Sequence, residues 1–238
     1  MLRHYFLGLF FGFIIHFSAF ATPLELAKAP TFVDANAIAL EFLPPPPAAD
    51  SLALKMDNAI LTWEQGRHTY YDNQRAWGSV TLDPNYFNEA LGVRFEESRF
   101  PLLFNMMKTV LADTRLFVDA YKVHYKRARP YQENPAVKPI IPIEESYSYP
   151  SGHGTRGMTL ALVLAELFPA RRDELIQTGR TLGQDRIIGG VHYPSDIDAS
   201  VKLAQALAPA IVASAAFKAQ LAAAQEEVNR ILASQKAE

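Results

Sequence analysis

Three short stretches in the middle of this chain carry the residue types that bind and split a tetrahedral anion: fixed cations, free backbone amides and imidazoles. In the first, Lys122 and Arg129-Pro130 put two cations at the end of an apolar-periodic segment, and the proline turns the chain away. Taken alone this is equally a helix terminus, because a helix C-terminus attracts Lys and Arg through its macrodipole. In the second, Pro150-Ser151-Gly152-His153 leads from a proline-rich stretch into an apolar helical pattern. N–H groups at a helix start bind anions, and a glycine there lets the ligand approach the backbone closely. Ser151 adds a hydroxyl donor and His153 a titratable group, although a serine cap followed by a surface histidine fits the same four residues. The third runs from Arg186 through Gly189-Gly190 to His192, Pro194 and Asp196. The two glycines break a helix and Pro194 starts the next, which puts His192 at the break. Asp196, one turn on, is within reach of one ring nitrogen of His192, fixing the tautomer and leaving the other nitrogen free to attack. A surface His–Asp pair is the plainer reading of that stretch by itself.

The stretches together are far more specific than any one of them. Lys122-x6-Arg129-Pro130, Pro150-Ser151-Gly152-His153 and Arg186-x5-His192-x3-Asp196, in this order, resemble the three-part signature of the type 2 phosphatidic acid phosphatase and vanadium haloperoxidase superfamily. Leu43-Pro44-Pro45-Pro46-Pro47 with Ser51 beyond it, and Tyr147-Ser148-Tyr149 before Pro150, look within that group like bacterial class A non-specific acid phosphatases. The likeness extends from Leu43 to Ala199. It implies hydrolysis of phosphate monoesters through a phosphohistidine on His192, oriented by Asp196, with His153 as acid and then base. Lys122, Arg129, Ser151, Gly152 and Arg186 would hold the phosphate, with no metal and no cofactor. A bell-shaped pH profile follows from such a pair of histidines, and the resemblance implies an optimum on the acid side of neutrality. Two positions depart from the family pattern: Asp185 stands where a small residue usually precedes the arginine, and Ser148 where glycine is frequent. A carboxylate beside Arg186 either pairs with it and weakens phosphate binding, or points to solvent.

The elements that must position these residues read as helices. Nearly half of the chain, 49%, is apolar and the net charge is only -2, so a sizeable core can form and no basic footprint for nucleic acid is present. The absence of cysteine excludes disulfide, Fe–S and thiolate-zinc chemistry. Residues 1–21 read as a signal peptide: Arg3 and His4 precede an apolar run that ends in Ala19-Phe20-Ala21. That run is shorter than the roughly 20 apolar residues of a membrane span. Residues 22–50, with Pro23, Pro30 and the proline run, form an extended arm lying on the outside. Residues 51–238 form the phosphatase domain. Helical periodicity covers Leu52 to Trp63, Asp83 to Gly92, Ser98 to Lys126, Gly152 to Phe168, Ala170 to Ile188, and Pro194 to near the C-terminus, where Pro209 marks a kink. From Arg129 to Pro150 the prolines forbid a continuous helix, and a loop of this length is expected to be functional.

The expectation is therefore an all-α, single-domain helical bundle with an extended proline-rich N-terminal arm, exported to the periplasm or secreted. Its partners are small phosphomonoesters, not nucleic acid, and it has no integral span once the signal is removed. An oligomer contact through the C-terminal helix and transfer of the phosphoryl group to alcohols are left open. Two rival readings are a vanadate-dependent haloperoxidase, with His192 as the axial ligand, and a non-catalytic periplasmic phosphate-binding protein in which Asp185 has spoiled turnover.

Overall fold

The computed structural model describes residues 22–235, so the signal-peptide reading of residues 1–21 lies outside the described residues. Among them no strand forms. An isolated bridge between Pro23 and Ala39 is the nearest thing to sheet. The helices in chain order are α1 (Leu52–Arg67), α2 (Tyr70–Gly78), α3 (Asn88–Leu91), α4 (Pro101–Tyr125), α5 (Pro130–Glu133), α6 (Gly152–Leu167), α7 (Arg172–Ile188), α8 (Pro194–Ala213) and α9 (Ala215–Gln235).

The bundle is built around α6, which lies against α7, α8 and α4. Its packing on α7 is close enough to exclude side chains at the crossing: a Cβ on Gly179 would sit 2.8 Å from that of Ala161. The apolar stripe of α4 enters the core as its period demands, with Met106, Met107, Val110, Leu111, Phe117 and Tyr121 all buried. Pro101 opens α4 at a position that needs no donor. The side chain of Glu227 in α9 accepts from the N–H groups of Leu102 and Leu103 there, which ties the last helix to the start of α4.

Three findings depart from the periodicity. In α1 the apolar residues Leu52, Met56, Ile60 and Trp63 are exposed, and it is Asp57, Leu61 and Glu64 that face inward. Buried Asp57 is needed by an arginine of the site, described below. The break in the C-terminal pattern falls at Ser214, not at Pro209: Pro209 lies within α8, whereas Ser214 is extended, caps α9 through Phe217 N, and leaves α8 and α9 bent by 72°. The arm, finally, is part of the core. Phe32 is 1% exposed and meets Phe217 edge-on, while the N–H groups of Thr31 and Phe32 donate to buried Asp113. Tyr121, Tyr125 and Tyr149 donate to arm carbonyls at Ala39, Leu43 and Pro44. Prolines that cannot donate still offer carbonyls, and these tyrosines use them. No single helix among the described residues is long and apolar enough to cross a membrane.

Candidate active site

The three sequence stretches meet at the ends of α4, α6 and α7. Lys122 lies in the last turn of α4, which ends at Lys126 in a left-handed conformation. Its ammonium is buried and donates to the carbonyl of Tyr147, with Ser146 Oγ at 3.4 Å. Burial, and next the charge of Arg129, push its pKa down to about 7.

Arg129 is 1% exposed and stands directly before α5. Its Nε donates to Ser146 O at 2.8 Å, and Nη1 to Val191 O and His192 Nε2, each at 2.9 Å. Its Nη2 donates to Glu144 Oε2 at 2.8 Å and Ser146 Oγ at 3.0 Å.

His192 follows a chain reversal in which Gly190 takes a φ of 73°, a left-handed conformation that glycine adopts without a side-chain clash. The imidazole is fully buried. Nδ1 lies 3.2 Å from Asp196 Oδ2, and Nε2 faces the Arg129 donor. An arginine can only donate, so Nε2 must be the unprotonated nitrogen and Nδ1–H the one that donates to the carboxylate. Burial, then Arg129 and Lys122, hold the His192 pKa well below the usual histidine range, in keeping with a neutral ring.

Asp196, in the first turn of α8, is saturated with donors. Oδ2 also accepts from Ser148 Oγ at 2.5 Å and Tyr193 N at 2.9 Å, and Oδ1 accepts from Arg127 Nη1 at 2.5 Å. Arg127 in turn pairs with buried Asp57 at 2.9 Å and lies over the Tyr193 ring. Asp57 closes the chain by accepting from Ser195 N and Oγ.

Ser151 caps α6, accepting from Gly154 N at 3.2 Å, and keeps its own O–H to donate. Among the described residues the N–H groups of Gly152 and His153 have no acceptor, which leaves a helix N-terminus able to take an anion. His153 is fixed through Nε2, 2.9 Å from Val80 O, so its Nδ1 faces the site, 3.9 Å from Glu144 Oε1. Burial, then Arg186, push its pKa down to about 4. Arg186 is anchored through Nη2 to Ala76 O and Ser79 Oγ, while among the described residues its buried Nε has no partner, which leaves it a donor for a ligand.

Asp185 takes neither course open to it in the sequence. It is fully buried and receives Arg75 Nε at 2.7 Å and Ser79 Oγ at 3.1 Å, and because that same hydroxyl accepts from Arg186 Nη2, the carboxylate is joined to its neighbour through Ser79 and not by a direct ion pair.

All eight sequence candidates, Lys122, Arg129, Ser151, Gly152, His153, Arg186, His192 and Asp196, thus belong to this one region, whereas His124 is exposed on the outer side of α4. Sequence reasoning missed Glu144, Arg127, Asp57 and Ser79. Arg127 had a signal, lying two residues before Arg129 inside the first stretch. Asp57 had none, since its partner is 70 residues away. A groove of about 1250 Å³ lined by Arg75, Tyr86, Arg94 and Thr178 opens elsewhere, and neither imidazole lines it.

Comparisons with known proteins show the family of the chain. The pattern of the PAP2 superfamily matches residues 102–219, which span all three stretches. A non-specific acid phosphatase of Providencia stuartii is 30% identical over 204 residues, covering 81% of each chain. One of Salmonella typhimurium is 30% identical over 203 residues, covering 79% of each. In fold, the chain is similar to a bacterial vanadium-dependent iodoperoxidase, with a TM-score of 0.58 and 19% identity over 74% of this chain and 53% of that longer one.

Proposed function

The chain belongs to the PAP2 superfamily, and from that premise we propose that it is an exported acid phosphatase that hydrolyses phosphate monoesters of varied structure, carrying the phosphoryl group on His192. The observation that carries this reading is the placement of the buried His192 ring, its Nδ1 beside Asp196 and its Nε2 turned toward the Arg129 donor. Hydrolysis of a phosphate monoester is extremely slow without catalysis, so charge on the transferring group must be neutralised while a nucleophile attacks in line. Lys122, Arg129 and Arg186 supply that charge, and Ser151 and the amides of Gly152 and His153 supply further donors. A charge-assisted hydrogen bond contributes about 1.5–3 kcal/mol.

In the first step Nε2 of His192 forms a bond to phosphorus as the bond to the leaving oxygen breaks, and protonated His153 gives its Nδ1 proton to that oxygen. In the second, His153 takes a proton from water, whose oxygen attacks phosphorus and breaks the N–P bond, releasing inorganic phosphate. An alcohol in place of water gives phosphotransfer. Because these groups grip the phosphate and not the alcohol, broad specificity is expected, and the three cations do the work for which other phosphatases use metal ions. Broad specificity and an acid optimum also accord with the names of the Providencia and Salmonella relatives. The rival reading of a spoiled, non-catalytic site loses its motive, because Asp185 is engaged by Arg75 and Ser79.

The test is to quench turnover of a labelled phosphomonoester in acid and map the labelled peptide. Label on His192, and its loss together with all activity in His192→Ala, is the expected result. Label on another residue, or a turnover rate in His192→Ala equal to the wild type, overturns the reading.

A further inference from the structure

Every donor of Arg129 is already spoken for by the protein itself. Nε goes to Ser146 O, Nη1 to Val191 O and His192 Nε2, and Nη2 to Glu144 and Ser146 Oγ. Lys122 is engaged by Tyr147 O and Ser146 Oγ. The loop of residues 144–147 therefore supplies both acceptors of Lys122 and all those of Arg129 except Val191 O and His192 Nε2. Among those acceptors Glu144 is the anion, and it is only half-buried, at 36% exposure, between Arg129 and His153. Burial, which would raise its pKa, is outweighed by Arg129, His192, His153 and Lys122, which push it down to about 2, so the carboxylate stays charged.

We infer that Glu144 is the internal competitor of the substrate: its carboxylate holds Arg129 in the free enzyme, phosphate must displace it to bind, and the residue thereby sets how tightly the site holds substrate and product. The inference deepens the phosphatase reading and rests on it. Two observations favour displacement over a fixed role. The contact with His153 is 3.9 Å, too long for a hydrogen bond, and that ring is already oriented by Val80 O. The loop is also tethered in a way that lets a side chain leave. Among the described residues none of the backbone N–H groups of residues 141–147 makes a hydrogen bond. Its carbonyls are what hold it, Glu144 O accepting from Tyr131 and the next carbonyls from Arg129 and Lys122. Glu144 can therefore rotate into solvent with its backbone still anchored, while Arg129 exchanges one oxyanion for another.

Removing the charge at constant shape should strengthen phosphate binding. For Glu144→Gln the KM for p-nitrophenyl phosphate and the Kd of inorganic phosphate, measured by calorimetry, should both fall by about tenfold, the equivalent of one charge-assisted bond. The change in KM should exceed any change in kcat. Glu144→Asp, whose carboxylate is drawn back by one methylene, should lower both constants by less, and it decides the matter alone if the glutamine variant does not fold. An unchanged or raised KM, or a tenfold loss of kcat at constant KM, overturns the inference and makes Glu144 a support for His153. A wild type that neither hydrolyses p-nitrophenyl phosphate nor binds phosphate overturns the phosphatase reading, and this inference with it. A wild type that does both, beside a Glu144→Gln variant identical to it, overturns the inference alone.

Discussion

The two nitrogens of His192 look onto regions of opposite character. Behind Nδ1 lies a closed chain of buried groups, Asp196, Ser148, Arg127 and Asp57, in which each charge faces an opposite one and the carboxylate of Asp196 has a donor on every side. In front of Nε2 lie Arg129 and the loop of residues 144–147, half open to water, whose N–H groups make no hydrogen bond among the described residues and whose Glu144 carboxylate and Ser146 hydroxyl engage Arg129. The rear is over-determined and the front provisional. A nucleophile needs both: a ring that cannot turn away, and a face whose present partners can leave.

The largest expected effect comes from breaking the rear. Arg127→Met would leave Asp57 and Asp196 buried without their shared cation. Removing one partner of a buried ion pair costs about 3–5 kcal/mol, and that loss should appear as a lowered midpoint in denaturant unfolding together with a collapse of kcat. A variant as stable as the wild type would mean the rear chain is not the scaffold it looks to be.

Next in size is the pH profile, which compares the two histidines directly. His153 must be protonated to donate, and its pKa is depressed to about 4, so its useful fraction falls as pH rises through that value. From there kcat/KM should drop by about tenfold per pH unit. The pKa of His192 is also depressed, which keeps the nucleophile neutral at acid pH and moves the acid limb lower still. Bound phosphate adds negative charge beside His153 and raises its pKa again, so the plateau of kcat should extend to higher pH than that of kcat/KM. Above about pH 7 Lys122 loses its proton as well, which removes a cation from the cradle. A flat kcat/KM from pH 4 to 8 would deny His153 its role as acid.

The smallest effect belongs to Ser148→Ala. It deletes one donor to Asp196 while Arg127 and Tyr193 N are kept, so kcat should fall by about tenfold, the equivalent of one charge-assisted bond, with KM nearly constant. If kcat were unaffected, Ser148 would be only a filler beside Asp196.

The contrast between front and rear also explains which parts of the molecule could be read in one dimension. Helices α4, α6 and α7 and the break before His192 follow from apolar periodicity, capping and the Gly–Pro punctuation of residues 189–194. The candidates on those helix ends were legible for the same reason. Helix α1 was legible as a helix but not in its orientation: Leu52, Met56, Ile60 and Trp63 should have turned inward on hydrophobicity, yet the pairing of Asp57 with Arg127 decided the face. Glu144 was invisible because a glutamate in a proline-rich loop has no periodicity to betray its direction.

The order and spacing of Lys122, Arg129, Ser151, His153, Arg186, His192 and Asp196 are local properties, and they determined the family and the helices that present these groups. Which side chains complete the site was decided only in three dimensions, where residues 70 apart such as Asp57 and Arg127 come to share a bond. Burial makes an unpaired charge costly, so each buried arginine must find its carboxylate wherever the chain returns, and no rule of sequence proximity governs that search.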